Sequence, residues 1–221
     1  MEEKLALSLG GGKGKKDPTY VQALRFLQGK ILGTDFPAMA RNAGCRYLPG
    51  PPEELEIPFL GVPHRVRADD VTALSGEAPS VWVKVFLYIY ATRAKGTPPA
   101  GRWAAFRELP NTVSKSKSFE EAAGEIAEEF SGREEALAQA ARSLGGEPVP
   151  FGSADFAFRF QALPRVELLL LYWRGEEEFG ARAAVLVDAG VLDYLDQEAL
   201  VFLAEAFSRK LRGRPVRGVI P

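Results

Sequence analysis

The chain has 221 residues, 46% apolar and 26% charged, with a formal net charge of −1. These values are ordinary for a soluble globular protein with one large domain, and they exclude a chain disordered throughout or basic enough to coat nucleic acid. A single cysteine (Cys45) and a single histidine (His64) exclude an internal disulfide, a four-cysteine zinc site, an iron–sulfur cluster held by this chain alone and a multi-histidine metal centre.

Residues 1–17 are rich in glycine and lysine and have little to bury, so they are expected to form a flexible tail. They do not read as a phosphate-binding loop: Gly10 and Gly14 are one residue too close, and Lys16 stands where Ser or Thr is needed. Glu2 and Glu3 precede a short apolar run, which argues against a signal peptide, and no stretch reaches the roughly 18–20 apolar residues of a membrane span. A cytoplasmic protein is the expectation. Scarce Asn, Cys and Met with abundant Arg, Glu and Pro would also suit a thermophile.

From Pro18 to Leu32 the residues Val21, Leu24, Leu27 and Ile31 recur at helical spacing, with Gly33 as the stop. A short helix is expected from Phe36 to Asn42, ended by Gly44. Leu55 to Arg67 alternates on either side of Leu60-Gly61 and reads as a hairpin, with Pro58 and Pro63 confining it to a sheet edge or a bulge. Residues 80–95 alternate like a strand, but Pro79-Ser80, Gly96 and the length favour a buried helix. After a Pro98–Gly101 loop, two helices follow at about Phe119–Phe130 and Arg133–Leu144, the first with a glutamate-rich face expected to be solvated.

Phe156, Phe158 and Phe160 alternate with polar or small residues, Val166 to Trp173 is almost wholly apolar, and Ala183 to Val187 forms a third strand. Their short connections imply an antiparallel meander. A last helix runs from Asp196 to Leu211, its acidic start and basic end matching the helix dipole. The fold class is therefore α+β: an antiparallel sheet, built from the hairpin and a C-terminal three-stranded meander, packed with several helices. The expected organisation is a tail at 1–17, one domain at 18–212 and a C-terminal tail at 213–221.

The stretch Leu163-Pro164, Leu168 to Trp173, Gly175-Glu176-Glu177-Glu178-Phe179, Leu186 and Asp188, then Tyr194-Leu195 and Glu198, resembles a family of uncharacterised bacterial and archaeal proteins known only as a domain of unknown function. Its mark is Trp-x-Gly followed by three acidic residues and Phe. Arg174 and Gly180 depart from the pattern, standing where an acidic residue and a proline are frequent. Weaker likenesses are Phe59-Leu60-Gly61 and Arg102-Trp103 to Leu109. The resemblance implies relatives in anaerobes, some fused to a cysteine-rich iron–sulfur domain, and hence a role beside redox or corrinoid proteins. It names no cofactor for this chain.

The candidate binding residues are Trp173, Glu176, Glu177, Glu178, Phe179, Asp188, Arg102 and Arg107. Convergence of the three glutamates with Asp188, or with Asp155, would make an oxygen site for Mg²⁺ or an acid–base pair. The plainer reading is a soluble acidic turn, with Trp173 and Phe179 in the core. A Cys45–His64 dyad has no motif behind it, and the five basic residues from Arg209 to Arg217 lack the interleaved aromatics of a nucleic-acid surface. The preferred expectation is a non-catalytic accessory module for a partner protein carrying an iron–sulfur cluster or corrinoid, with no nucleic-acid or membrane role. The alternative is a carboxylate-based hydrolase or lyase, with or without Mg²⁺.

Overall fold

The structure, a computed structural model, describes residues 18–76, 78–176 and 179–216. The tail expected at 1–17 and the end of the one expected after 212 thus lie largely outside the described residues.

Two helices lead in, α1 (Pro18–Ile31) and α2 (Phe36–Ala43). Asp35 caps α2 by accepting from the Ala38 N–H, and Gly44 ends it in the left-handed conformation that glycine adopts without cost. A four-stranded antiparallel sheet follows, in the order β1 (Arg46–Leu48), β2 (Glu54–Phe59), β3 (Val62–Val66), β4 (Val71–Ala73). The predicted hairpin is β2–β3, but it is the centre of this sheet, not its edge. Its prolines face each other at the open end: β1 pairs only with 54–56, short of Pro58, and Pro63 meets the chain after β4 through its carbonyl, which accepts from the Leu74 N–H at 2.9 Å. There a missing N–H breaks no ladder.

Next comes α3 (Val81–Arg93), the helix expected at 80–95, started by Ser80, whose Oγ accepts from the Val83 N–H. Eight of its residues are buried and they lie all round it, which is why the sequence alternates ambiguously. Tyr90 Oη donates to Ala43 O at 2.6 Å and accepts from the Arg165 N–H at 3.0 Å, tying α3 to the end of α2 and to a turn 75 residues away.

A five-stranded antiparallel sheet forms the other half, in the order β5 (Trp103–Ala105), β9 (Arg182–Asp188), β8 (Val166–Trp173), β7 (Phe156–Leu163), β6 (Glu147–Pro148). The meander is β7–β8–β9, as its short connections implied. Hairpin and meander thus occupy separate sheets. Between β5 and β6 lie α4 (Ser116–Phe130) and α5 (Glu134–Ser143); α6 (Gln197–Leu211) ends the fold, capped by Asp196.

The two sheets meet at the hairpin tip. Leu60 and Gly61 both have positive φ, 44° and 78°, as a two-residue type I′ turn requires. A leucine there is strained, yet Leu60 is only 3% exposed and its N–H donates to Ala162 O at 2.9 Å. Ala162 is available because β7 and β8 shift register between Gln161 and Leu163. One apolar cluster then runs through both halves, with Phe59, Phe86 and Phe202 meeting from β2, α3 and α6.

The glutamates of α4 are not merely solvated. Glu125 pairs with Arg212, and Glu129 with Arg133 and with Arg214 at 2.7 Å, so the basic residues after α6 are held against α4.

Replacing Tyr90 with Phe leaves a buried carbonyl and a backbone N–H without their partner. Urea unfolding of Tyr90→Phe should show a loss of about 1–3 kcal/mol with an unchanged m-value.

Candidate functional site

The five-stranded sheet has two apolar faces. Phe158, Phe160, Leu168, Leu170, Tyr172, Val185 and Val187 point into the main core, where all six helices of the described residues also bury their apolar sides. The alternate positions Ala157, Leu169, Leu171, Ala184 and Leu186 form a second, smaller cluster on the outer face, with Trp103, Val149, Ala154 and Trp173 around it. Strand alternation explains the split: Val166 to Trp173 is apolar at both parities, so both faces of β8 are apolar.

Trp173 ends β8 opposite Arg182, whose guanidinium stacks 5.8 Å from the indole, and its Nε1 donates to Ser153 Oγ at 3.5 Å. It is half-buried on the outer face, not in the main core. Beyond it, Glu176 and Phe179 exchange two backbone hydrogen bonds that close the connection, and the Phe179 ring is left 69% exposed. Asp155 accepts from the Arg174 N–H, and Arg174 lies over Phe156 at 5.0 Å. Glu177 and Glu178 lie outside the described residues.

Asp188 stands at the far end of β9. Trp173 pairs with Arg182, six residues before it, a separation of about 20 Å along the strand. Its carboxylate accepts from the N–H groups of Ala100, Gly101 and Gly190 at 2.8–2.9 Å, which pins the Pro98–Gly101 loop and the turn after β9. Asp188 thus does not meet Glu176 or Asp155. Among the described residues no group of three His, Cys, Asp or Glu side chains is arranged to hold a metal ion.

Arg102 and Arg107 flank the same far rim. Both are exposed; Arg102 O accepts from the Ala189 N–H, and Arg107 lies 3.8 Å from Glu120. Between them Trp103, opposite Asp188 on the outer face, was not among the predicted site residues. Its signal was the alternation of Trp103-Ala104-Ala105, too short to read as a strand without its partner β9. Among the described residues, the predicted binding residues therefore fall at the two opposite ends of the sheet, Glu176 and Phe179 beyond Trp173, and Asp188, Arg102 and Arg107 near Trp103.

Cys45 and His64 do not act together. Cys45 precedes β1 and His64 is on β3, with β2 between them, about 10 Å or two strand spacings. Burial pushes the Cys45 thiol up to about 11, the opposite of an activated nucleophile. His64 instead lines a cavity of about 320 Å³ between the hairpin, the start of α3 and the end of α6. No local pattern announces this cavity, because its walls come from segments as far apart as Phe59 and Val216.

Two measurements test these assignments. Asp188→Ala should lower stability by about 2–3 kcal/mol through three lost charge-assisted hydrogen bonds, whereas Glu176→Gln should stay within about 0.5 kcal/mol in the same urea titration. Burial holds the folded His64 below its ordinary value of 6.5. The unfolded chain then binds the proton more readily, so stability is unaffected above about pH 6.5 and falls as pH drops below it. In His64→Gln that fall should be shallower.

Nothing among curated proteins or solved structures matches the chain. A family described as Domain of unknown function (DUF3786) matches residues 35–210, from the cap of α2 to the last turn of α6, with both sheets inside the match. That span is most of the chain, and it contains the 163–198 stretch on which the likeness was read; the protein belongs to the DUF3786 family.

Proposed function

We propose that the chain is a non-catalytic accessory module that docks a partner protein on the outer face of its five-stranded sheet. The observation that carries this reading is the second apolar cluster, which has a tryptophan at each end. The half-buried Trp103 and Trp173, with Arg182 stacked on Trp173 and Phe179 exposed nearby, are the residue types that dominate protein interfaces. Arg159, bound to Glu147 at 2.7 Å, supplies part of a polar border. The partner carries an iron–sulfur cluster or a corrinoid and works with this chain in the cytoplasm of an anaerobe; the likeness at 163–198 supports that part, and one cysteine with one histidine leaves the cluster ligands to the partner. The carboxylate-enzyme reading has no comparable support, since Asp188 spends its oxygens on backbone N–H groups one strand length from Glu176.

Affinity capture from native lysate, kept anaerobic, tests this with metal analysis of the eluate. The wild-type chain should retain one partner with stoichiometric iron or cobalt, and Leu186→Lys with Trp173→Ser should lose it at unchanged melting temperature. A partner retained by that variant would overturn the docking face. A partner free of iron and cobalt would overturn the cofactor assignment.

A further inference from the structure

The cavity beside His64 shares no residue with the outer sheet face. At about 320 Å³ it lies at the small end of ligand-sized pockets, and it stands half open. Phe59 and Val62 of the hairpin, Val83 of α3 and Val216 after α6 make its lining mostly apolar. Water gains little from such walls, so the apolar part of a ligand displaces it favourably.

The polar groups on that lining are not equally available. Ser80 Oγ accepts from the Val83 N–H, so the start of α3 is capped from within the chain. Lys210 donates to Leu60 O at 3.4 Å, and Arg214 pairs with Glu129 at 2.7 Å. His64 differs. It is only 5% exposed, and its Nδ1 lies 2.8 Å from Val62 O. A carbonyl only accepts, so Nδ1 carries the hydrogen and Nε2 of the neutral ring presents a lone pair. Burial favours that neutral form.

Nε2 has no hydrogen-bond partner among the described residues. Nor is it sealed: among those residues the side-chain atom both fully buried and unpartnered is Arg65 Nε. Nε2 is therefore reached through the cavity that its ring lines.

We propose that this cavity binds a small neutral alcohol or phenol, an apolar body carrying one hydroxyl. The hydroxyl donates to His64 Nε2, and the body lies against Phe59, Val62 and Val216. Other ligand classes each meet a specific cost. A hydrocarbon would strip water from Nε2 without replacing its hydrogen bond. An ether oxygen only accepts, so it would set one lone pair against another. A carboxylate does the same, and must also shed its hydration against apolar walls.

The single histidine makes the test direct, because the full chain labelled with ¹⁵N-histidine gives one pair of ring nitrogen resonances. The probe is 4-methylphenol, compared with its methyl ether 4-methylanisole and with 4-methylbenzoate, at about pH 7.5, where the ring is neutral. The phenol should move the Nε2 resonance upfield saturably and leave Nδ1 in the range of a protonated nitrogen. By calorimetry the ether and the benzoate should each bind at least about tenfold more weakly, about the value of one hydrogen bond. In His64→Phe the phenol should lose its preference over the ether. Ala78→Trp, a filling substitution at an exposed lining position, should abolish phenol binding at unchanged melting temperature, and it tests the cavity whether or not His64→Phe folds. No saturable shift at millimolar 4-methylphenol overturns the proposal. So does equal affinity for phenol and ether, equal affinity for phenol and benzoate, a preference that survives in His64→Phe, or phenol binding that survives Ala78→Trp.

Discussion

Helix α3 is apolar all the way round, and a helix of that kind has to be given a neighbour on every side. The rest of the fold meets that demand. α1 packs along one flank, α2 and α6 close others, and the hairpin lays Phe59 against Phe86. The polar ends of its tyrosines are used as well: Tyr88 donates to Arg67 O, and Tyr90 links Ala43 with Arg165. A buried phenol must find a partner, so each of these contacts specifies where a distant segment lies. Because three elements converge through one hydroxyl, the position of α3 sets the relation between the N-terminal half and the meander.

The junction of the sheets follows the same logic on a smaller scale. A β-bulge in β7 frees one carbonyl, Ala162 O, and the strained Leu60 turn supplies the N–H that satisfies it. Burial of the Leu60 side chain stabilises by about 1.5–3 kcal/mol, enough to offset the cost of positive φ at a leucine. The hairpin tip is thereby held against β7, and Lys210 donates to the Leu60 carbonyl from α6. The wall of the His64 cavity is thus a by-product of how the two sheets are joined.

Two surfaces result, with different chemistry. The outer face of the large sheet is apolar, with Trp103 and Trp173 at its two ends and Arg182 stacked on Trp173, which suits a protein partner. The cavity beside His64 is small and half open, lined by residues of the hairpin, the segment from β4 to the start of α3 and the end of α6. Asp188 serves neither surface directly. It fixes the loop that carries Trp103 into register with β9.

Much of the secondary structure was legible in the sequence, since helix caps, turn residues and strand alternation are local. Asp35, Ser80 and Asp196 start helices because their side chains reach N–H groups three residues on. The meander was legible because its links are too short for crossovers. The α+β class and the family likeness at 163–198 rest on that local information. Three things were decided by tertiary structure. The hairpin became the middle of its own sheet because β1 and β4 add to it, which three-residue strands do not announce. Glu176 and Asp188 were separated because antiparallel pairing puts the two ends of β9 on opposite rims. His64 gained a cavity because α3, α6 and the hairpin meet around it. Local sequence sets which element forms; only long-range packing sets which face is left open and which side chains share a space.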